Sequence, residues 1–256
     1  MNPAPPRPRR PLFRPAPPRP APPVRLAVLS DIHANAAALV AALDEADRRG
    51  ADAVVCLGDV VGYGPDPGVC VDLVRERAAA TVRGNHEAAL ADDDELAVLP
   101  RDGQTAIRLH RELLSADQKA WLSGLPLVDT FEGVTLVHAA PLDPARWTRL
   151  DAFDAVRNQF AAFDTAVCFV GHSHVPAVVS DTVGAFKVRA GRRYLINVGS
   201  VGQPRDGDAR LSFGLFDTDA FTYENVRAHY DVARTVARVR ERGLPESLGQ
   251  RLVRGA

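Results

Sequence analysis

Five short stretches of this sequence concentrate side chains that bind cations: Asp31-Ile32-His33, Gly58-Asp59, Gly84-Asn85-His86-Glu87, His138 and Gly171-His172-Ser173-His174. Together they hold five of the chain's seven histidines. Each follows an apolar run of strand length, so each falls where a strand gives way to a loop. Carboxylate oxygen, amide oxygen and neutral imidazole nitrogen are ligands for borderline divalent metals, and five loops at neighbouring strand ends can converge on one spot.

Asp31 and His33 lie two apart just past a buried run, a spacing at which both side chains reach one ion as the chain turns. Asp59 follows Gly58, which leaves room for close approach of backbone and metal. A carboxylate has two oxygens and can bridge two cations, while Asn85 offers an oxygen without a further negative charge that would weaken Lewis acidity. His138, His172 and His174 complete seven ligand groups. With one group shared, two ions receive four protein contacts each and keep open positions for water and substrate. Two-metal centres hold their ions about 3.5–4 Å apart and clamp the entering and leaving oxygens of an in-line displacement. The chemistry implied is metal-dependent hydrolysis. Any one stretch is weak evidence, since a DxH pair recurs by chance and a lone histidine is commonly a core residue; the ordered set at strand ends carries the signal.

Alternating strands and helices must position these groups. Residues 24–30 read as a buried strand and 35–49 as a helix stopped by Gly50; 53–57 is a second strand, 67–78 a second helix and 80–82 a third strand. This order predicts a parallel sheet. Residues 92–123 keep a helical pattern, with Ser115 and Gln118 as a cap, and form a helical insertion placed to wall the site. Strands at 134–138 and 166–170 flank a helix over 151–163. Beyond His174 the runs 177–180, 185–189, 194–198, 211–216 and 221–230 read as strands, the first four antiparallel, followed by an amphipathic helix over 232–242. His110 and His229 fall in a helical and a strand pattern and read as structural or surface residues.

Of 256 residues, 46% are apolar and 25% charged, ordinary values for a globular chain with a real core. The apolar runs are strand length, far short of the ~20 residues that cross a bilayer. Cys56, Cys70 and Cys168 are widely spaced and form no disulfide framework, which fits a cytoplasmic location and core packing. The net charge of −1 hides an asymmetry: residues 1–23 hold eleven of the twenty prolines and five arginines with no acid. This basic stretch is expected to be a disordered tail, either a dispensable extension or a contact for nucleic acid or protein, and residues 24–256 a single domain. The oligomeric state is not legible.

In motif content and order, residues 24–217 resemble the calcineurin-like metallophosphoesterases, in particular their bacterial phosphodiesterase-like branch. The resemblance implies an α/β (α+β) fold, a four-layer αββα sandwich of two mixed β-sheets with a dinuclear metal site at the strand C-terminal ends. It implies Asp31, His33, Asp59 and His174 around one ion and Asp59, Asn85, His138 and His172 around the other, with Asp59 as the bridge. It also implies two divalent cations, manganese first, with iron, zinc, cobalt or nickel as alternatives. A metal-bridging hydroxide would attack phosphorus directly, and His86 would act as general acid or stabilise the charged phosphoryl group. The substrate expected is a small-molecule phosphoester, a phosphodiester or nucleotide, with phosphomonoesterase or protein phosphatase, and then a non-catalytic scaffold, as alternatives.

Protein phosphatases of this superfamily write the segment after the bridging aspartate GDxVDRG, whereas here it reads Gly58-Asp59-Val60-Val61-Gly62-Tyr63-Gly64. Tyr63 replaces the arginine that grips phosphate, and Gly62 replaces an acid that orients the catalytic histidine; tyrosine cannot supply a bidentate guanidinium hold. Tyr63 is a wall for a base or ring, or plain packing. The stretch Asn197-Val198-Gly199-Ser200, running on to Arg205 and Asp206, resembles a loop of bacterial relatives. It reads either as a substrate-side loop with Arg205 as replacement phosphate clamp and Asn197 or Ser200 in support, or as a glycine turn with a solvated Arg205–Asp206 pair.

Overall fold

The computed structural model describes residues 24–182 and 187–256. The basic stretch 1–23 therefore lies outside the described residues, as does part of the strand expected over 185–189; residues 187–189 belong to no strand.

The strand β1 (Arg25–Leu29) shows why this sequence needs several layers. Leu26 and Val28 enter one core and Ala27 and Leu29 another. Side chains alternate along a strand, so a strand apolar at both parities must be covered on both faces. One cover is helical: α1 (Ala36–Arg48) and α2 (Pro67–Arg77) place Leu39, Leu43, Val71 and Val74 against Ala27, Leu29 and Cys56. The other is a second sheet, whose Leu136, Phe169, Tyr194 and Ile196 meet Leu26, Val28, Val55 and Leu57.

The first sheet contains β1, β2 (Ala53–Cys56), β3 (Ala78–Thr81), β9 (Leu211–Asp217) and β10 (Thr222–Ala228) in the order β10-β9-β1-β2-β3. The second contains β4 (Val128–Phe131), β5 (Val134–Val137), β6 (Val167–Val170), β7 (Ala177–Ser180) and β8 (Tyr194–Asn197) in the order β4-β5-β6-β8-β7. The parallel pairing expected from the strand-helix alternation runs through β1-β2-β3 and β5-β6-β8, and antiparallel strands complete both sheets. Both sheets are therefore mixed, and helices flank them; α7 (Phe153–Gln159), shorter than the helix expected over 151–163, contributes Val156 to the apolar cluster on the outer face of the second sheet.

After α3 (Asn85–Ala91), the helical stretch 92–123 resolves into α4 (Asp93–Val98), α5 (Arg101–Leu113) and α6 (Ala116–Ser123). Ser115 and Gln118 form the expected reciprocal cap of α6. Helix α8 (Val232–Glu241) pairs with α9 (Glu246–Arg254), an element not anticipated, and Val239 of α8, Leu248 of α9 and Leu244 between them pack in one cluster with Tyr63. Among the described residues no helix is long and apolar enough to cross a membrane.

Candidate functional site

Parallel register aligns the ends of neighbouring strands, Leu26 opposite Ala53 and Leu29 opposite Cys56, so the loops carrying Asp31 and Asp59 leave the first sheet side by side. The loops after β5 and β6 leave the second sheet beside them: the His172 backbone N–H donates to Asp31 Oδ2 at 2.9 Å. Three ligand groupings result, Asp31 with His33 and His174, Asp59 with His138 and His172, and His33 with Asp59 and His86. Asn85 joins the second through its Oδ1, 3.1 Å from His138 Nε2. The expected ligand residues are thus brought together, and His86 is close enough to them to count geometrically as a ligand. Asp31, His33, Asp59, Tyr63, His172 and His174 all have positive φ, the left-handed region that costs a non-glycine residue energy. Such strain persists where the surroundings over-determine it, which is a mark of functional sites.

Hydrogen bonds assign the imidazole tautomers. His33 Nδ1 faces Val61 O at 3.0 Å, His138 Nδ1 faces Leu57 O at 2.9 Å, and His174 Nδ1 faces the Gln203 carbonyl. A carbonyl only accepts, so each Nδ1 carries a proton and each ring, when neutral, presents a lone pair at Nε2. His33 Nε2 and His174 Nε2 then stand 3.1 Å apart with no hydrogen between them. Asp31 Oδ1, buried without a hydrogen-bond donor, lies 3.2 Å from His174 Nε2. On the other side His138 Nε2 meets Asn85 Oδ1 and Asp59 Oδ2, the latter at 3.3 Å. Converging acceptors repel one another unless a cation sits among them, so these residues fit divalent metal. The carbonyl partners are the kind that fix a ligating histidine's tautomer and direction.

The electrostatics agree. Burial opposes charge on Asp31 and Asp59, yet the surrounding histidines hold both carboxyls below the usual range. For His138, burial works downward but the Asp59 carboxylate outweighs it and brings the imidazole up to about 9. The cluster draws positive charge, which a proton or a divalent ion can supply. His86 is pulled down to about 4 by burial against the upward pull of Asp59, and its Nδ1 has no hydrogen-bond partner. Gly62 explains that orphan atom: a Cβ there would sit 2.1 Å from His86 Nδ1, so no acid can occupy the position.

Several further residues support the site. Glu87, fully buried, accepts from the backbone N–H groups of Asp59, Val61 and Gly84. Burial, then Asp59, pushes its carboxyl up to about 7. Its third position in α3 was the available signal, since a glutamate there reaches back to the helix start. His110, read as structural or surface, is fully buried and braces the Tyr63 loop, accepting from Gly62 N–H and donating to Gly64 O. Gly58 leaves room, but for the Gly84 backbone: a Cβ would lie 2.5 Å from Gly84 N.

A cavity of about 330 Å³ opens onto Asp59, Asn85, His86, His172 and His174. Leu99 and Pro100 of the helical stretch wall one side, and Tyr63 and Arg205 also line it. The Arg205 guanidinium sits 5.7 Å from the centre of the Tyr63 ring and donates to Gln203 Oε1. Asp206 pairs with Arg227 instead, so the solvated Arg205–Asp206 pair is not formed. Asn197 does not line the cavity: its amide donates to Gly171 O and Ser173 Oγ and its Oδ1 accepts from Gly199 N–H, which spends it on holding the histidine loop.

A family model described as the calcineurin-like phosphoesterase superfamily domain matches residues 24–220. The chain belongs to that superfamily. Among its relatives, an uncharacterized protein of Methanocaldococcus jannaschii is 37% identical over 240 residues, covering 90% of this chain and 98% of its own. A metallophosphoesterase from Sphaerobacter thermophilus, solved by crystallography, superposes with a TM-score of 0.80 at 37% identity, over 92% of this chain and 100% of its own. A hypothetical protein from Pyrococcus horikoshii shares the fold at 21% identity, with a TM-score of 0.76 over 91% and 99% of the two chains. As a calcineurin-like phosphoesterase superfamily member, the chain has its candidate metal-ligand clusters on loops that leave its two mixed sheets.

Proposed function

We propose that this chain is a two-metal phosphoesterase acting on a phosphodiester or nucleotide-type small molecule, with Asp31, His33, Asp59 and His174 holding one ion and Asp59, Asn85, His138 and His172 the other. The observation that carries the reading is the position of Asp59 Oδ2, 3.7 Å from His33 Nε2 and 3.3 Å from His138 Nε2, between the two groups of acceptors. Bound divalent ions would supply Lewis acidity and a nucleophile at neutral pH; manganese is the first choice, with iron, zinc, cobalt or nickel accepted by the same donors.

The chain's own residues supply positioning and proton handling. His86, uncharged in its buried setting, gains a proton most readily when an anionic phosphate group arrives, and can then pass it to the leaving oxygen. Arg205, half-buried and stacked over Tyr63, is directed at the same cavity and can hold a non-bridging phosphate oxygen. No serine or cysteine nucleophile is needed, and all three cysteines are buried. Residues 24–256 would form one catalytic domain, with 1–23 as an accessory tail.

A phosphomonoesterase reading has one observation in its favour: Arg205 brings a guanidinium to the Tyr63 position from another loop, replacing the arginine missing from the segment after Asp59. The deciding experiment adds manganese to metal-free protein and compares model phosphodiesters, model monoesters, cyclic nucleotides, dinucleoside polyphosphates and a phosphopeptide. Preference for diester or nucleotide supports the proposal. Preference for monoester or phosphopeptide reverses the ranking, and no turnover of any substrate leaves a non-catalytic scaffold.

A further inference from the structure

The ligand clusters and His86 occupy only the inner end of the cavity; its outer end is built from different chemistry. There the turn Pro144–Arg146 and Trp147 face helix α4. The Trp147 indole N–H donates to Glu95 Oε2 at 3.0 Å, so its polar atom is spent and its ring is tied to the insertion. Glu95 and Val98 are three apart on α4 and share a face, and Val98 lines the same cavity as the indole. Val98 is 77% exposed, yet it lines the cavity. Trp147 also sits 6.1 Å, edge to face, from His138, so this apolar wall begins where the second ligand cluster ends. Its φ of 53° is a left-handed conformation that an aromatic residue adopts only when held there.

Arg146 and Arg149 line the same outer end. Arg149 has only an exposed 3.5 Å contact with Asp151, and Arg146 has no ion pair among the described residues. Small-molecule sites run from about 300 to 1,000 Å³, so a cavity of about 330 Å³ takes more than one phosphate group. Aromatic and aliphatic surface favours the flat face of a ring, and guanidinium groups favour phosphate oxygens.

We propose that Trp147 and Val98, flanked by Arg146 and Arg149, form an outer subsite that takes the base and a second phosphate of a nucleotide. This rests on the phosphoesterase reading above and specifies which phosphoesters the site prefers. The reacting phosphate lies at the inner clusters, the next phosphate faces the two arginines, and the base covers the Trp147 ring.

The chain has two tryptophans, so Trp121→Phe leaves Trp147 as the fluorescent reporter. The metal-loaded, full-length variant is titrated with the non-hydrolysable α,β-methylene analogue of ADP, with methylenediphosphonate, which lacks a base, and with adenosine, which lacks phosphate. The nucleotide analogue quenches saturably, methylenediphosphonate does not, and adenosine binds about tenfold or more weakly. Adding Arg146→Ala and Arg149→Ala weakens the nucleotide analogue about tenfold and leaves adenosine unchanged. No quenching by the nucleotide, equal quenching by methylenediphosphonate, or unchanged affinity in the arginine variant overturns the subsite. Manganese-dependent turnover of a base-free phosphoester by the wild type is measured separately: turnover without nucleotide quenching removes the subsite alone, and quenching without turnover removes the hydrolytic reading alone.

Discussion

Glu87 Oε2 accepts the backbone N–H of Asp59 at 2.8 Å, so a carboxylate outside every ligand grouping sets the position of the residue shared between them. The same carboxylate ties down Val61 and Gly84, and thus joins the loops after β2 and β3. Replacing one of its oxygens by an amide nitrogen points a donor at backbone donors. Glu87→Gln is expected to lower metal affinity about 10–100-fold, read by titration of metal-free protein, with a reduced unfolding midpoint. Unchanged affinity would make Glu87 a helix cap only.

Asp59 carries the two-metal reading most directly. Asp59→Asn removes the negative charge of the carboxylate that stands between the two groups of acceptors, so turnover is expected to fall by about a hundredfold or more. Near-normal activity with two ions still bound, counted by elemental analysis, would refute the bridging role.

His86 separates two geometries, because its Nε2 lies 4.0 Å from Asp59 Oδ2 and it can be counted with His33 and Asp59 as a ligand. As a proton donor it is dispensable for metal. His86→Ala should therefore keep its metal content while kcat falls about 10²–10⁴-fold. Loss of an ion in this variant would reassign His86 to the coordination shell.

Arg205 stands over Tyr63 with its Nε unpaired. Arg205→Ala should raise KM about tenfold or more through loss of a charge-assisted hydrogen bond to phosphate, with a smaller effect on kcat. An unaltered KM would remove it from the substrate side.

His110 gives a pH signature away from the ligands. Burial lowers its imidazole to about 4, against about 6.5 in the unfolded chain. Below 6.5 the unfolded state binds a proton that the native state refuses, so this contribution is complete above pH 6.5 and is lost progressively as the pH falls towards 4. Between pH 7.5 and pH 5 wild type should lose about 2 kcal/mol more stability than His110→Gln, measured by denaturant unfolding in chelator. Equal losses would mean that His110 is not held neutral.

Much of the architecture was legible because it depends on local pattern. The strand-helix alternation through β3, the cap at Ser115 and the helical character of 92–123 all follow from periodicity and turn chemistry in contiguous residues. The strand β4 is four residues long and at most half-buried in part, too short and too polar to stand out; α9 carries Gly249 in its interior and gains its stability from packing on Tyr63 and α8. The hydrogen-bonding run from Asn197 to Asp206 suits a substrate-side loop in which Asn197 supports Arg205, yet the Asn197 amide is consumed within the fold.

The sequence by itself determined the inventory: which residue types end which strands, and in what order, because donor chemistry and hydrophobic period are properties of short segments. Tertiary structure alone decided their mutual distances. Asp31, Asp59 and Asn85 leave one sheet while His138, His172 and His174 leave the other, and only the packing of Leu26, Val28, Val55 and Leu57 against Leu136, Phe169 and Ile196 brings the two sets of loops together. The same holds for Glu95 and Trp147, which are 52 residues apart and joined by one hydrogen bond across the cavity mouth. Contacts of that range depend on how layers stack, and no local periodicity encodes them.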